Sequence, residues 1–235
     1  MPKKPVAKHD VMGEDELRQR VDAISWWHSI DLPYGITTPG KPHCTKMLDD
    51  VGMLLPEDMT GMTVLDLGAW DGMYSFFCEK RGAEVCAVDL WGGQVHRDDA
   101  VGFDLAREVL GSKVEKCPGD VITSPWGDRK FNVVLFLGLL YHMRHPLLAL
   151  ELAHKACLDF ILVETHVVRF NEGSPAAMFY PGTELGGDCS NWWGPNPECV
   201  LALMESAGFR NCASISVEPA GYAPLAGRMF ALGEV

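Results

Sequence analysis

Apolar positions along the chain keep two rhythms that take turns. Short β-branched and apolar runs, bounded by glycine, proline or aspartate, predict strands at Thr63–Leu67 and over residues 84–88, 114–116, 132–137 and 160–164. Between them, apolar residues spaced three and four apart predict helices over 73–81, 98–110 and 146–157. Ahead of the first strand, "EDELRQRVDAISWW" predicts a helix over 14–27, with acids in its first turn and Leu17, Val21 and Ile24 on one face. A Pro/Gly-rich segment at 31–42 and a second helix over 45–55 follow. Past Glu164 the rhythm stops: residues 169–197 run for 29 positions without clear periodicity, which is the mark of a lid or binding loop. Pro197 then opens a helix to residue 207, and strands over 213–217 and 229–232 are expected to close the chain as a hairpin. Strand and helix in alternation predict an α/β fold around a parallel sheet.

Composition narrows this picture. With 235 residues, 47% hydrophobic and 22% charged, the chain suits one substantial core with short additions. The division expected is a helical, substrate-side segment over residues 1–60 and a cofactor domain over 61–235 carrying the 169–197 insertion. The opening "MPKKPVAKHD" is basic but has no apolar stretch behind it, so it reads as a frayed arm and not a secretory signal. Eight cysteines at 44, 78, 86, 117, 157, 189, 199 and 212 contain no C-x-x-C pair, which points to a reducing cytoplasm without a disulfide framework or structural zinc. A net charge of −12 with no dense Lys/Arg run sets nucleic acid aside and favours a small-molecule partner. No membrane segment is expected, and monomer and homodimer both stay open.

Chemistry concentrates at "VLDLGAWDGMYSF", residues 64–76. A strand that ends in a glycine turn before a helix collects backbone N–H groups and a positive dipole. A dinucleotide would use a second glycine to admit pyrophosphate, but Trp70 stands there, and Asp66 would repel the phosphates. A cationic ligand reverses that logic. S-adenosylmethionine (SAM) carries an ammonium and a sulfonium and no phosphate, so Asp66 attracts it while Gly68 and Gly72 let the backbone pass close. Asp89 ends the second strand, where an acid grips ribose hydroxyls, and Asp120 follows the third, within reach of an adenine amino group. The alternative for each acid is a cap on the next helix. The cofactor-binding set expected is Asp66, Gly68, Trp70, Gly72, Asp89, Leu90, Asp120, Val121, Leu137 and Gly138.

These three acids after three successive strands resemble the class I SAM-dependent methyltransferases over nearly the whole chain from about Trp26 onward. The blocks "WHSIDLPYGITTPG", "LGLLYHMRHPL", "LVET" and "NPECVLALMESAGF" are similar to the branch of bacterial tRNA wobble-uridine carboxymethyltransferases and their small relatives. The resemblance implies a doubly wound, Rossmann-like sheet of seven strands, parallel except for one late strand, with helices on both faces. It also implies two candidate donors, SAM and carboxy-SAM. A lysine, a tyrosine and an arginine hold the extra carboxylate in that branch; Lys46 and Tyr141 match two of these positions, and Arg228 falls near the third but out of register. Ordinary SAM is the favoured donor.

For a methyl transfer the protein aligns the reactants and, for a hydroxyl or amine acceptor, removes a proton. "GLLYHMRHP" after the fourth strand supplies His142 as the expected base, with a loop-fixing histidine as the alternative reading, and Tyr141 to line the transfer site. Substrate contacts are expected from Trp27, His28, Lys46, Arg144, Asn191 and Trp192. Aromatic, amide-bearing loops suit a flat or apolar organic acceptor. Glu164, His166, His142 and His145 lack the spacing of a dedicated metal site, so no metal is expected. The expected activity is a small-molecule O-methyltransferase of secondary metabolism, with N- and C-methylation left open; carboxymethyl transfer or tRNA modification is the alternative.

Overall fold

The computed structural model describes residues 12–91, 99–220 and 225–235. The basic arm lies outside the described residues. All five predicted strands form, as β1 (Thr63–Leu67), β2 (Glu84–Asp89), β3 (Glu115–Pro118), β4 (Phe131–Leu137) and β5 (Cys157–Val168). The closing hairpin is β6 (Arg210–Pro219) with β7 (Ala226–Glu234). Together they make one seven-stranded sheet in the order β3-β2-β1-β4-β5-β7-β6. The ladders among β1 to β5 are parallel, and β7 runs antiparallel to both of its neighbours.

The helices are α1 (Glu14–Asp22), α2 (Cys44–Leu54), α3 (Met73–Lys80), α4 (Asp99–Leu110), α5 (Pro146–Ala156) and α6 (Pro197–Ser206). Because side chains alternate along a strand, each central strand feeds two cores. Val64, Val133 and Leu135 pack with α1 to α4, while Leu65, Leu67, Val134 and Phe136 pack with α5 and α6. Parallel strands buried on both faces read as continuous apolar runs, which is why β1 and β4 stand out in the sequence.

Three differences from the sequence expectation bear on the site. The first helix stops at Asp22, because Trp26 turns its Nε1–H back to the Val21 carbonyl and the Trp27 and His28 amides go to Asp71. β5 runs on to Val168, since β7 pairs with it along its length through Ala226 opposite Val168. The 169–197 segment holds an antiparallel ribbon, 177–179 with 193–195. Buried Asn196 ties that segment down: its Oδ1 accepts from the Ala176 and Cys199 amides, and its Nδ2 donates to the Phe170 and Ser174 carbonyls. Among the described residues no helix is long and apolar enough to cross a membrane.

Candidate active site

The turn after β1 places Gly68, Trp70 and Gly72 in the left-handed region, at φ of 80°, 49° and 87°. For a tryptophan this is an uncommon conformation that the surroundings must enforce. They do so from both sides: the Trp70 N–H donates to Asp89 Oδ2 at 2.8 Å, and its carbonyl accepts from Trp91 Nε1 at 3.0 Å. The Gly68 and Ala69 amides both reach the Val88 carbonyl, and the Gly72 amide reaches Ala69. The Gly68, Ala69, Trp70 and Gly72 amides are therefore engaged within the protein, which weighs against a pyrophosphate on this turn alongside the Trp70 side chain.

Gly72 has a different role from the one its motif position predicts. A Cβ there would sit 2.7 Å from the Phe103 and Phe76 rings, so the glycine is required by packing into the core and not by a ligand. At Gly68 the Cβ would meet Leu139 at 3.2 Å. Asp66 is also corrected. It is 1% exposed in a ligand-free molecule, turned toward α3, and accepts the Ser75 hydroxyl at 2.6 Å. Burial, with a smaller push from Asp89, raises its pKa to about 7 despite the Ser75 bond. It fastens the strand to the helix beneath the turn.

Asp89 ends β2 at the sheet's carboxyl edge, with Oδ2 on the Trp70 amide and Oδ1 on the Leu90 amide at 2.6 Å. Leu90 beside it is 53% exposed, an apolar side chain held at the surface next to a polar grip. Asp120 caps the turn at 121–123, its Oδ1 accepting from the Ile122 amide at 2.9 Å. Val121 and Leu137 are buried beside these strand ends, and Gly138 follows at φ 70° with its amide on the Glu164 carbonyl. An acid at the strand end, an exposed apolar side chain and a turn whose Gly68, Ala69, Trp70 and Gly72 amides are taken up within the protein fit SAM.

Beyond β4, residues 140–142 form a single 3-10 turn that presents Tyr141 and His142. His142 Nδ1 lies 3.1 Å from the Ser190 carbonyl and 3.0 Å from Ser190 Oγ. Ser190 Oγ gives its proton to Asp188 Oδ1 at 2.7 Å, so both oxygens facing Nδ1 act as acceptors. That assigns the proton to Nδ1 and the lone pair to Nε2. Ser190 and Asp188 lie in the aperiodic 169–197 segment, where no sequence signal linked them to His142.

The insertion also meets the loop after β4 through Trp192, whose amide donates to the Tyr141 carbonyl at 2.8 Å. Arg144 stacks 4.2 Å from the Trp192 ring centre, and Phe179 lies nearly parallel to Trp192 at 6.3 Å. Asn191, expected at the substrate, is buried with Nδ2 on the Leu185 carbonyl at 2.7 Å and serves the insertion's own fold. His28 faces inward onto Tyr74, ring centres 5.8 Å apart, and burial lowers its pKa to about 3, so the imidazole is neutral. Its Nδ1 and the Tyr74 hydroxyl are buried without hydrogen-bond partners. Trp27 is instead 44% exposed, with its ring 6.0 Å from that of Trp70.

A buried ion pair missed by the sequence reading lies next to this edge. Arg228 Nε donates to Glu164 Oε1 at 2.5 Å and Nη2 to Oε2, a bidentate pair between adjacent strands, with the guanidinium 5.2 Å from the Tyr141 ring. Burial works against the Arg228 charge, but Glu164 and Tyr141 outweigh it and hold the guanidinium protonated. Burial first, and then Arg228, lowers the His166 pKa to about 4. Lys46 on α2 is bound to Asp50 at 2.7 Å and to Glu218, the cross-strand neighbour of Arg228, at 2.9 Å. Arg228 thus reaches Tyr141 as the carboxymethyltransferase pattern requires, but Glu164 fills its fork and Lys46 is engaged elsewhere. Among the described residues, Cys86, Glu115 and Cys117 have the spacing for a metal. The Arg129 guanidinium already supplies the cation there, at 3.3 and 3.5 Å from the two sulfurs and 2.5 Å from Glu115.

Asp71 is the residue whose importance only the structure reveals. It is buried between Trp70 and Gly72, and Oδ2 accepts the Trp27 amide at 2.7 Å and the His28 amide at 2.9 Å. One carboxylate so joins the glycine turn to a segment more than forty residues earlier.

Residues 43–213 match the family described as a methyltransferase domain. No curated protein sequence matches the chain. Among solved structures, the N-terminal domain of EvdMO1, crystallised with S-adenosylhomocysteine (SAH) and D-fucose, superimposes with a TM-score of 0.71 at 18% identity, covering 97% of this chain and all of that one. The [4+2]-cyclase SpnF gives 0.64 at 17% identity, covering 93% of this chain and 90% of that one. The 1,6-didemethyltoxoflavin N1-methyltransferase of Burkholderia thailandensis gives 0.54 at 16% identity, over 83% and 76%. At such identities these three establish a shared fold. The family match spans most of the chain, including every parallel strand and the whole turn that holds Trp70, and so the chain belongs to the methyltransferase-domain family and is a SAM-dependent methyltransferase.

Proposed function

We propose that the protein is an O-methyltransferase of secondary metabolism that methylates a hydroxyl of a small organic molecule. The observation that supports this reading is the Asp188–Ser190–His142 chain, which sets Nδ1 as the donor and Nε2 as the unprotonated nitrogen of a histidine whose ring centre lies 4.2 Å from that of Tyr141. A carbon acceptor that is already nucleophilic needs no such base, whereas a hydroxyl does. SAM supplies the electrophilic methyl group when bound. His142 Nε2 accepts the hydroxyl proton, and Ser190 holds the ring in the tautomer that does so. Tyr141 lines the space between them, and Trp192 with Arg144 forms the acceptor's outer wall.

On the cofactor side, Asp89 takes the ribose hydroxyls, Leu90, Asp120 and Val121 border the adenine, and Gly68, Leu137 and Gly138 line the passage to the sulfonium. Residues up to 60 form the substrate-side segment, joined to the turn by Asp71. The D-fucose in the EvdMO1 domain crystal and the toxoflavin precursor named for the Burkholderia enzyme support a small, polar organic acceptor. The engaged state of both Lys46 and the Arg228 fork supports SAM over carboxy-SAM. The net charge of −12 supports a small molecule over tRNA.

The test is transfer of isotope-labelled methyl from SAM to a panel of sugars, phenols and heterocyclic amines. Label appearing as a base-stable ether on a hydroxylated acceptor is expected, with turnover lowered about 100-fold in His142→Ala and SAM affinity unchanged. Label found only on nitrogen or carbon, or undiminished turnover in the variant, would overturn the reading.

A further inference from the structure

We infer that Trp27 and Trp70 form an aromatic wall that distinguishes the charged cofactor from its neutral product. Sequence alone places Trp27 with the acceptor, but the structure sets its ring against the glycine turn. Its backbone is pinned at both ends, the amide on Asp71 Oδ2 and the carbonyl receiving the Lys41 amide at 2.9 Å and Cys44 Sγ at 3.1 Å. The ring nonetheless stays 44% exposed, a large apolar group held rigidly in the open at the cofactor turn. Trp70, fixed by Asp89 and Trp91, packs on it with ring centres 6.0 Å apart and planes tilted by 52°, so the two rings make one aromatic face.

Two neighbours stand at the Trp27 ring. Lys41 Nζ already stands 5.6 Å from the Trp27 ring centre, within range of a cation–π contact. His43 meets the ring edge-on at 6.2 Å, and burial first, then Arg228, lowers its pKa against an opposing push from Glu164. The cation this site would take is a sulfonium. SAM carries one, and SAH, after losing the methyl group, carries a neutral thioether. Contact with the ring quadrupole therefore weakens when the methyl leaves, which favours entry of the substrate form and release of the product form. Asp71 is the positioning residue for this wall, since it fixes Trp27 against the turn.

The experiment is calorimetric titration of SAM and of SAH into the wild-type protein, Trp27→Leu and Trp27→Phe. Trp27→Leu is expected to lower SAM affinity about three- to tenfold while changing SAH affinity less than about twofold, with Trp27→Phe in between. Equal losses for both ligands would make the ring a plain apolar wall and overturn the inference, as would no loss for either. A wild-type protein that binds neither ligand would overturn the cofactor reading itself, a separate outcome.

Discussion

Replacing Asp66 by asparagine should change how stability depends on pH. Asp66 lies buried beneath the cofactor turn and titrates near 7, against an ordinary value of 3.8, because burial disfavours its charge more than the Ser75 hydroxyl favours it. Between those two values the native state holds a proton that the unfolded chain has released. Stability therefore falls as pH rises through this window, and the loss is complete above about pH 7. At about 1.4 kcal/mol per pH unit, the displacement amounts to roughly 4 kcal/mol, a sizeable share of the 5–15 kcal/mol that holds a typical domain together. Asparagine keeps the shape and the acceptor for Ser75 but cannot ionise. Urea unfolding of wild type and Asp66→Asn without cofactor, at pH 5 and pH 8, isolates the term, because every other titrating group cancels in the difference. The variant is expected to gain about 2–4 kcal/mol on wild type between the two conditions. A difference that stays constant with pH, or one that grows in wild type's favour, would refute the buried, proton-holding carboxyl.

Other outcomes follow from the same geometry. Gly72→Ala should destabilise by about 2–4 kcal/mol, from a left-handed conformation without glycine and a methyl group pressed onto Phe76 and Phe103, measured as a lower urea midpoint. Glu164→Gln should leave the Arg228 guanidinium short of its counter-charge and lower the melting temperature by about 5–10 °C, against no change if the pair were idle. Ser190→Ala should cut turnover less than His142→Ala and leave SAM affinity alone, since it removes the hydroxyl but keeps the Ser190 carbonyl on Nδ1.

The sheet was legible because its strands are buried on both faces, so each reads as an apolar run with sharp ends. The ends of β5 and β7 were not, because their outer halves gain their register from each other and that pairing leaves little periodicity in either strand alone. Charge logic pointed to SAM, but it could not tell which acid turns inward onto a helix. Asp66 and Asp89 both close apolar runs, and only the fold turns one toward α3 and the other toward the Trp70 amide. Asp71 looked like a loop residue because its partners, the Trp27 and His28 amides, are backbone groups and leave no mark in the sequence. Ser190 and Asp188 were hidden for a similar reason: the ribbon brings them to His142, and its strands are three residues each.

Cofactor binding at the carboxyl edge of β2 is tested most directly by titrating SAM into Asp89→Ala in a calorimeter, alongside wild type. Asp89, proposed to take the ribose hydroxyls, also holds the Trp70 amide in its left-handed turn, so binding heat should vanish in the variant while the fold, followed by circular dichroism, persists. Unchanged affinity in a folded Asp89→Ala protein would contradict the placement of the cofactor at this turn.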